Sequence, residues 1–316
     1  MSNRPTEEEV NNLFANSDPA KVWEKASGIL KRFKPNYDFA LIRPVYEDVM
    51  NLFHGHYPGY VAIKTLYHDL PHTLDVYLCA ARLMHGEHIS GEILEDDEIT
   101  LVLISALMHD IGYAQREGEQ TGTGAQYTQT HVKRGIAFMK HYFSERHFAD
   151  EISTKLESMI LCTDPALNFS EVSFPDERIR LLGQLVVTAD LTGQMADRTY
   201  LEKLLFLYLE FREAHFGDFQ SIHDMLRKTE RFYEVTRAKL DGPFGKHYVN
   251  LAYHFREALG VDRNYYFDSI EKNILYLQRV IAQNEAEYLS MLKRGGIVEK
   301  AINLVHPDGQ GASSPL

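Results

Sequence analysis

Cysteine is scarce: the 316 residues hold two, Cys79 and Cys162, far apart and in no metal-type spacing. That excludes a disulfide framework and fits a reducing compartment. No apolar run is long enough for a bilayer. The longest, ITLVLISALM at 99–108, falls short of the roughly 20 residues a span needs and ends on a His-Asp pair. Positive net charge is missing as well: at −12 the surface repels nucleic-acid backbones, and no basic stripe offsets it. The opening MSNRPTEEEV lacks the basic-then-apolar order of a secretory signal. These absences predict a cytoplasmic protein with no membrane and no nucleic-acid polymer as partner.

Strand-like alternation is also nearly absent, whereas apolar residues recur at helical spacing along most of the chain, so the class is all-α. Residues 1–37 read as a helical lead-in, 38–240 as the core, 241–300 as C-terminal helices packing on it, and 301–316 as a disordered tail. Within the core the pattern predicts helices near 38–53, 70–85, 98–111, 129–143, 149–162, 176–193, 198–215 and 219–239. The polar, glycine-rich stretch 114–128 is a connector able to lie over a site, or a surface insertion. Ile270, Ile274, Leu277, Ile281, Asn284, Tyr288 and Met291 follow coiled-coil spacing. That seam packs on its own chain or forms a homodimer through 270–291, the first being favoured.

Against this apolar background certain ionisable residues stand out. The stretch YHDLPHTLDV at 67–76 holds His68, Asp69, His72 and Asp75. Pro71 is tolerated only in the first turn of a helix, so the helix starts at about Asp69, which becomes its N-cap. His68 then stands outside the helix, while His72 and Asp75 share one face. His109 and Asp110 end the apolar run, and Gly112 reads as the helix stop. Asp190 closes a third apolar run, LLGQLVVTAD. Buried charges need a partner, and a divalent cation would compensate the carboxylates while selecting neutral imidazole. His72, His109, Asp110 and Asp190 together offer the nitrogen and oxygen ligands that suit first-row divalent metals.

The order H…HD…D resembles the HD-domain superfamily of metal-dependent phosphohydrolases. In finer spelling it is similar to the catalytic domain of class I cyclic-nucleotide phosphodiesterases, whose first motif reads YHNxxHxxDV. MILCTDPALNF at 159–169 is similar to that family's ILATDMxxHF, and TADLTGQ at 188–194 to its CADLSNP; the likeness covers about residues 60–215.

The resemblance implies a multi-helix bundle with the metal site at helix ends, binding one or two divalent ions (Mn, Fe, Zn, Ni, Co or Mg). It implies that His72, His109, Asp110 and Asp190 hold the metal, that Asp110 bridges a second ion, and that His68 is the general acid. Asp164 would orient a histidine or a water. His131 resembles a second-metal ligand of another branch of the superfamily, with a surface helix histidine as its other reading. The substrate would be a small phosphoester, nucleotide-like in the family. The chain departs from the pattern at Tyr113 and Asn168, where the family has histidines, and at Asp69, where it has asparagine. No counterpart of the purine-holding glutamine and apolar clamp is recognisable. These departures motivate an alternative, a catalytically weak metal- or nucleotide-binding signalling module. Asp197 competes with Asp190 as last ligand, and Asp190 is preferred because it ends the apolar run. Lys133, Arg134 and Arg198 are candidates for substrate phosphate but more simply face solvent. His54, His56, His85, His88, His141 and His147 are expected in loops or on polar faces.

Overall fold

The computed structural model describes residues 13–14, 16–119, 121–284 and 287–305. Among these the chain is all-helical, and its one β-type pairing is an isolated bridge between Tyr60 and Arg116. No helix among them is long and apolar enough to cross a membrane.

The helices are α1 Pro19–Phe33, α2 Ile42–His54, α3 Leu70–Ser90, α4 Asp96–Met108, α5 His131–Glu145, α6 Asp150–Leu161 and α7 Glu177–Ala196. They continue as α8 Tyr200–Glu213, α9 Ile222–Asp241, α10 Leu251–Leu259, α11 Tyr265–Ile281, α12 Tyr288–Met291 and α13 Ile297–Val305. The centre of the bundle is the packing of α3 on α7, with α1, α4 and α10 also against α3 and α6 and α11 against α7. Every residue of α4 from Ile99 to Met108 is buried. Each large apolar side chain so enclosed contributes about 1.5–3 kcal/mol, which fixes where the following residues emerge.

Local signals set the boundaries. Asp69 caps α3 by accepting from His72 N at 2.9 Å, Pro71 sits in the first turn, and Gly91, in the left-handed region at φ 106°, ends the helix. A reciprocal Glu95/Glu98 capping box opens α4, and the Asp176 carboxylate accepts from Ile179 N at 2.8 Å to open α7.

Four expectations are corrected. The stop after the His-Asp pair is not made by Gly112: α4 already ends at Met108, and Ile111–Tyr113 form a short 3-10 turn. Gly112 is required for a different reason, since a Cβ there would lie 1.7 Å from His131 O, so only glycine lets this turn touch α5. His85 is not on a polar face; α3 runs past it to Ser90, and the buried ring meets His254 with Nδ1 atoms 2.8 Å apart. The seam is shorter than its spacing suggests, because α11 ends at Ile281 and buries Ile270, Ile274 and Leu277 inside its own chain. The tail begins later than residue 301, for α13 continues to Val305; residues 306–316 lie outside the described residues, as do 1–12 of the lead-in. One apolar core runs from Val22 to Ala301, so lead-in, core and C-terminal helices share it.

Candidate metal centre

Three segments deliver the ligands. The first turn of α3 carries His72, the exit of α4 carries His109 and Asp110, and the middle of α7 carries Asp190. His72 Nε2 stands 3.2 Å from His109 Nε2 and 3.3 Å from Asp110 Oδ2, and His109 Nε2 lies 3.0 Å from the same oxygen. Asp190 Oδ1 adjoins both rings, at 3.4 Å from His72 and 3.7 Å from His109. All four residues are buried.

Electrostatics argues for a cation here. His109 Nδ1 must donate to Ala106 O, 2.9 Å away, because a carbonyl only accepts; a neutral ring therefore turns a lone pair toward the cluster. His131, in the first turn of α5, is fixed likewise by Nδ1 donating to Thr128 O at 2.6 Å, and its Nε2 faces Asp110 Oδ1 at 3.4 Å. Asp110 thus shows one oxygen to His72 and His109 and the other to His131, and Oδ2 has no hydrogen-bond donor. Bare nitrogens against a carboxylate repel unless a proton or a metal lies between them. Burial by itself would lower the His72 imidazole, but Asp110 and Asp190 outweigh it and lift it to about 10. Burial also disfavours the Asp110 anion, yet the imidazoles of His109 and His68 hold its carboxyl well below the usual range.

The spacing suits a metal. Ligand atoms about 2.0–2.2 Å from one ion sit about 2.8–3.6 Å from each other at tetrahedral to right angles. The His72, His109 and Asp110 ligand atoms all lie within 4.8 Å of one another, so this buried trio could hold a metal ion, with Asp190 beside it.

His68 lies just before α3 and is not among those ligands. Its Nδ1 donates to Glu210 Oε2 at 2.6 Å, while Glu210 Oε1 accepts from Tyr67 N at 2.6 Å. Burial lowers the His68 imidazole, but Glu210 and then Asp110 raise it to a net value above ordinary. Tyr113 stacks on His68 at 4.7 Å between ring centroids and on His131 at 4.5 Å.

The remaining candidates fall into place. Asp69 serves α3 as its cap. Asp75 turns from the cluster and accepts from Asn16 Nδ2 at 2.8 Å. Asp164 does not orient a cluster histidine; its Oδ1 accepts from Ala166 N at 2.9 Å within its own loop. Asp197 is spent on an ion pair with Lys203 at 2.6 Å, which leaves Asp190 with the histidines. Arg134 bonds the carbonyls of Gly112 and Ala114 and stacks on Tyr127, and Thr123 in the 114–128 connector donates to Glu213. The connector is thereby tied to α5 and α8, and its Thr128, with the adjoining Gln129, forms part of the wall described next. Neither thiol is nucleophilic: burial pushes Cys79 and Cys162 up to about 12.

The cluster opens into a cavity of about 310 Å³. His68, His72, Asp110, His131 and Asp190 are at its polar end; Phe169, Phe211, Phe216, Phe232 and Phe244 contribute to its walls. An apolar enclosure therefore exists although the sequence disclosed none, because its residues come from four separate segments. Sequence reasoning also missed Glu210. The available signal was an acid inside LFLYLEF, an apolar run, the same signal that marks Asp190.

Residues 116–240 match a family model described as Npun_R2479-like. The matched stretch contains His131, Asp190 and Glu210, and excludes His68, His72, His109 and Asp110. No curated protein matches the chain.

Proposed function

We propose that the protein is a metal-dependent phosphohydrolase that cleaves a small phosphoester. The observation that carries this reading is the convergence of His72 Nε2, His109 Nε2 and Asp110 Oδ2 to within 3.0–3.3 Å at the floor of a cavity, with His68 beside them. Divalent ions held there would supply Lewis acidity toward the phosphoryl oxygens and a lowered pKa for water. His72, His109, Asp110 and Asp190 would hold one ion; the other oxygen of Asp110, with His131, would be the start of a second position.

The chain's own residues then supply orientation and a proton. Glu210 fixes His68 with Nδ1 bonded, so that Nε2 is the atom left to give a proton to the departing oxygen. Against the lowering effect of burial, Glu210 and then Asp110 raise that ring above its ordinary range, which favours the protonated form. Tyr113 limits the tilt of both His68 and His131 by stacking.

The test is metal analysis of purified protein together with hydrolysis of bis(4-nitrophenyl) phosphate and 4-nitrophenyl phosphate. Near-stoichiometric divalent metal, turnover, and loss of turnover with retained metal in His68→Ala are expected. A metal-free protein that stays inert after reconstitution rejects the reading. The alternative, a signalling module that binds metal without turnover, draws on Tyr113 filling the place of a family histidine; ligand-induced thermal stabilisation without hydrolysis would favour it.

A further inference from the structure

The cavity is two-sided in its chemistry. Beyond the cluster, its wall offers amides from Gln129 and Gln194 and hydroxyls from Thr128, Thr163 and Thr236, but most of the lining is apolar. Phe169 meets Phe244 edge-on at 5.4 Å and Phe211 meets Phe216 at 5.0 Å. The apolar surface continues outward, where Phe216 and Phe232 are 37% and 42% exposed at residues that also line the cavity. Large aromatic side chains left in water at the rim of an apolar cavity mark a binding surface for apolar matter.

One fixed positive charge faces this space. Lys239 is the single Lys or Arg in the lining, and its ammonium makes no ion pair or hydrogen bond among the described residues. Phe232, Thr236 and Lys239 lie on one face of α9 at four- and three-residue steps, which sets the aromatic and cationic ends about 10 Å apart. Asp164 also lines the wall, with one oxygen occupied by Ala166 N. A sugar would have to satisfy several hydroxyls from these few scattered polar groups, and each one left against the apolar remainder is costly.

We infer that the cavity takes an amphipathic phosphoester, an aromatic or aliphatic alcohol esterified to phosphate, in place of the sugar and base of a nucleotide. Lys239 is the counter-charge for the anion of that ligand, and Phe216 and Phe232 cover its apolar body. This rests on the phosphohydrolase reading for the phosphate and on the walls alone for the body.

The experiment is calorimetric titration of the metal-loaded protein with (1-naphthylmethyl)phosphonate, methylphosphonate and AMP. The naphthyl compound is expected to bind about tenfold or more tighter than either of the others, and Lys239→Gln to weaken it about tenfold. Phe232→Ser should weaken the naphthyl compound and leave methylphosphonate unchanged. Naphthalene-1-sulfonate, titrated into chelator-treated protein, separates this inference from the metal reading. Lys239-dependent binding there supports the wall assignment even if the protein proves to need no metal. AMP binding as tightly as the naphthyl compound, Lys239→Gln within twofold of the parent for both naphthyl probes, or no naphthyl binding at all overturns it.

Discussion

His68 gives its Nδ1 hydrogen to Glu210, which lies 142 positions later in the chain and only 2.6 Å away. The same carboxylate holds the backbone of Tyr67, so one buried acid sets the place of the ring and pulls its pKa upward. Replacing Glu210 by Gln keeps an acceptor for Tyr67 N but removes the charge that raises His68. Turnover should fall about a hundredfold, mostly in kcat. With His68 as the proposed acid acting in its protonated form, its lowered pKa should also move the alkaline limb of the pH–rate profile to lower pH. An unmoved limb would refute the assignment of His68 as the acid.

The cluster should tie stability to metal. His109→Gln removes a candidate ligand whose Nδ1 is already anchored to Ala106 O, and metal retained through dialysis should drop below detection. For the parent protein, chelation should lower Tm, and returning the ion at about a hundred times its Kd should restore about 2.7 kcal/mol. Calorimetric scans with and without chelator measure this. Identical scans would disprove metal linkage.

Asp75 makes a separate prediction, for stability against pH. Burial first, then the charge of Asp197, raises its carboxyl from 3.8 to about 7. The folded chain therefore binds this proton more tightly than the unfolded chain, whose carboxyl titrates near about 3.9. This contribution is present below pH 4 and is lost as pH rises to about 7. Asp75→Asn can still accept from Asn16, so it should raise Tm at pH 8 and leave Tm at pH 4 nearly unchanged. A substitution that lowers Tm at pH 8 contradicts this.

Gly112→Ala should be among the most damaging single-methyl additions. Its Cβ would meet His131 O at 1.7 Å and Gly135 N at 2.7 Å, all backbone, so α5 must move away. A loss of about 2 kcal/mol or more is expected in urea unfolding. His131 should shift from Asp110 as well, so turnover should fall further than stability explains. Parent-like stability and turnover would mean the close approach is not needed.

Much of the helix order was legible because caps and breakers are local. Asp69 and Pro71 mark the start of α3 by chemistry that acts within one turn, and the apolar runs ending at His109 and Asp190 show where a carboxylate must be buried. What stayed hidden depends on distant neighbours. Glu210 stands inside an apolar run as Asp190 does, but its partner His68 is 142 positions away and shows only when α8 is laid beside it. Gly112 reads as a stop, because nothing in the sequence says that α5 returns to touch it. The wall of phenylalanines is likewise split between the segment after α6, the end of α8 with the turn beyond it, α9, and the turn that follows α9.

The clustered side chains come from α3, the exit of α4, α5, α7 and α8, so five separate segments must be held in place at once. When the bundle loosens anywhere along the α3–α7 contact, the donors drift apart together, so catalytic decay should run in step with the first cooperative loss of tertiary order and report it ahead of any change in helix content.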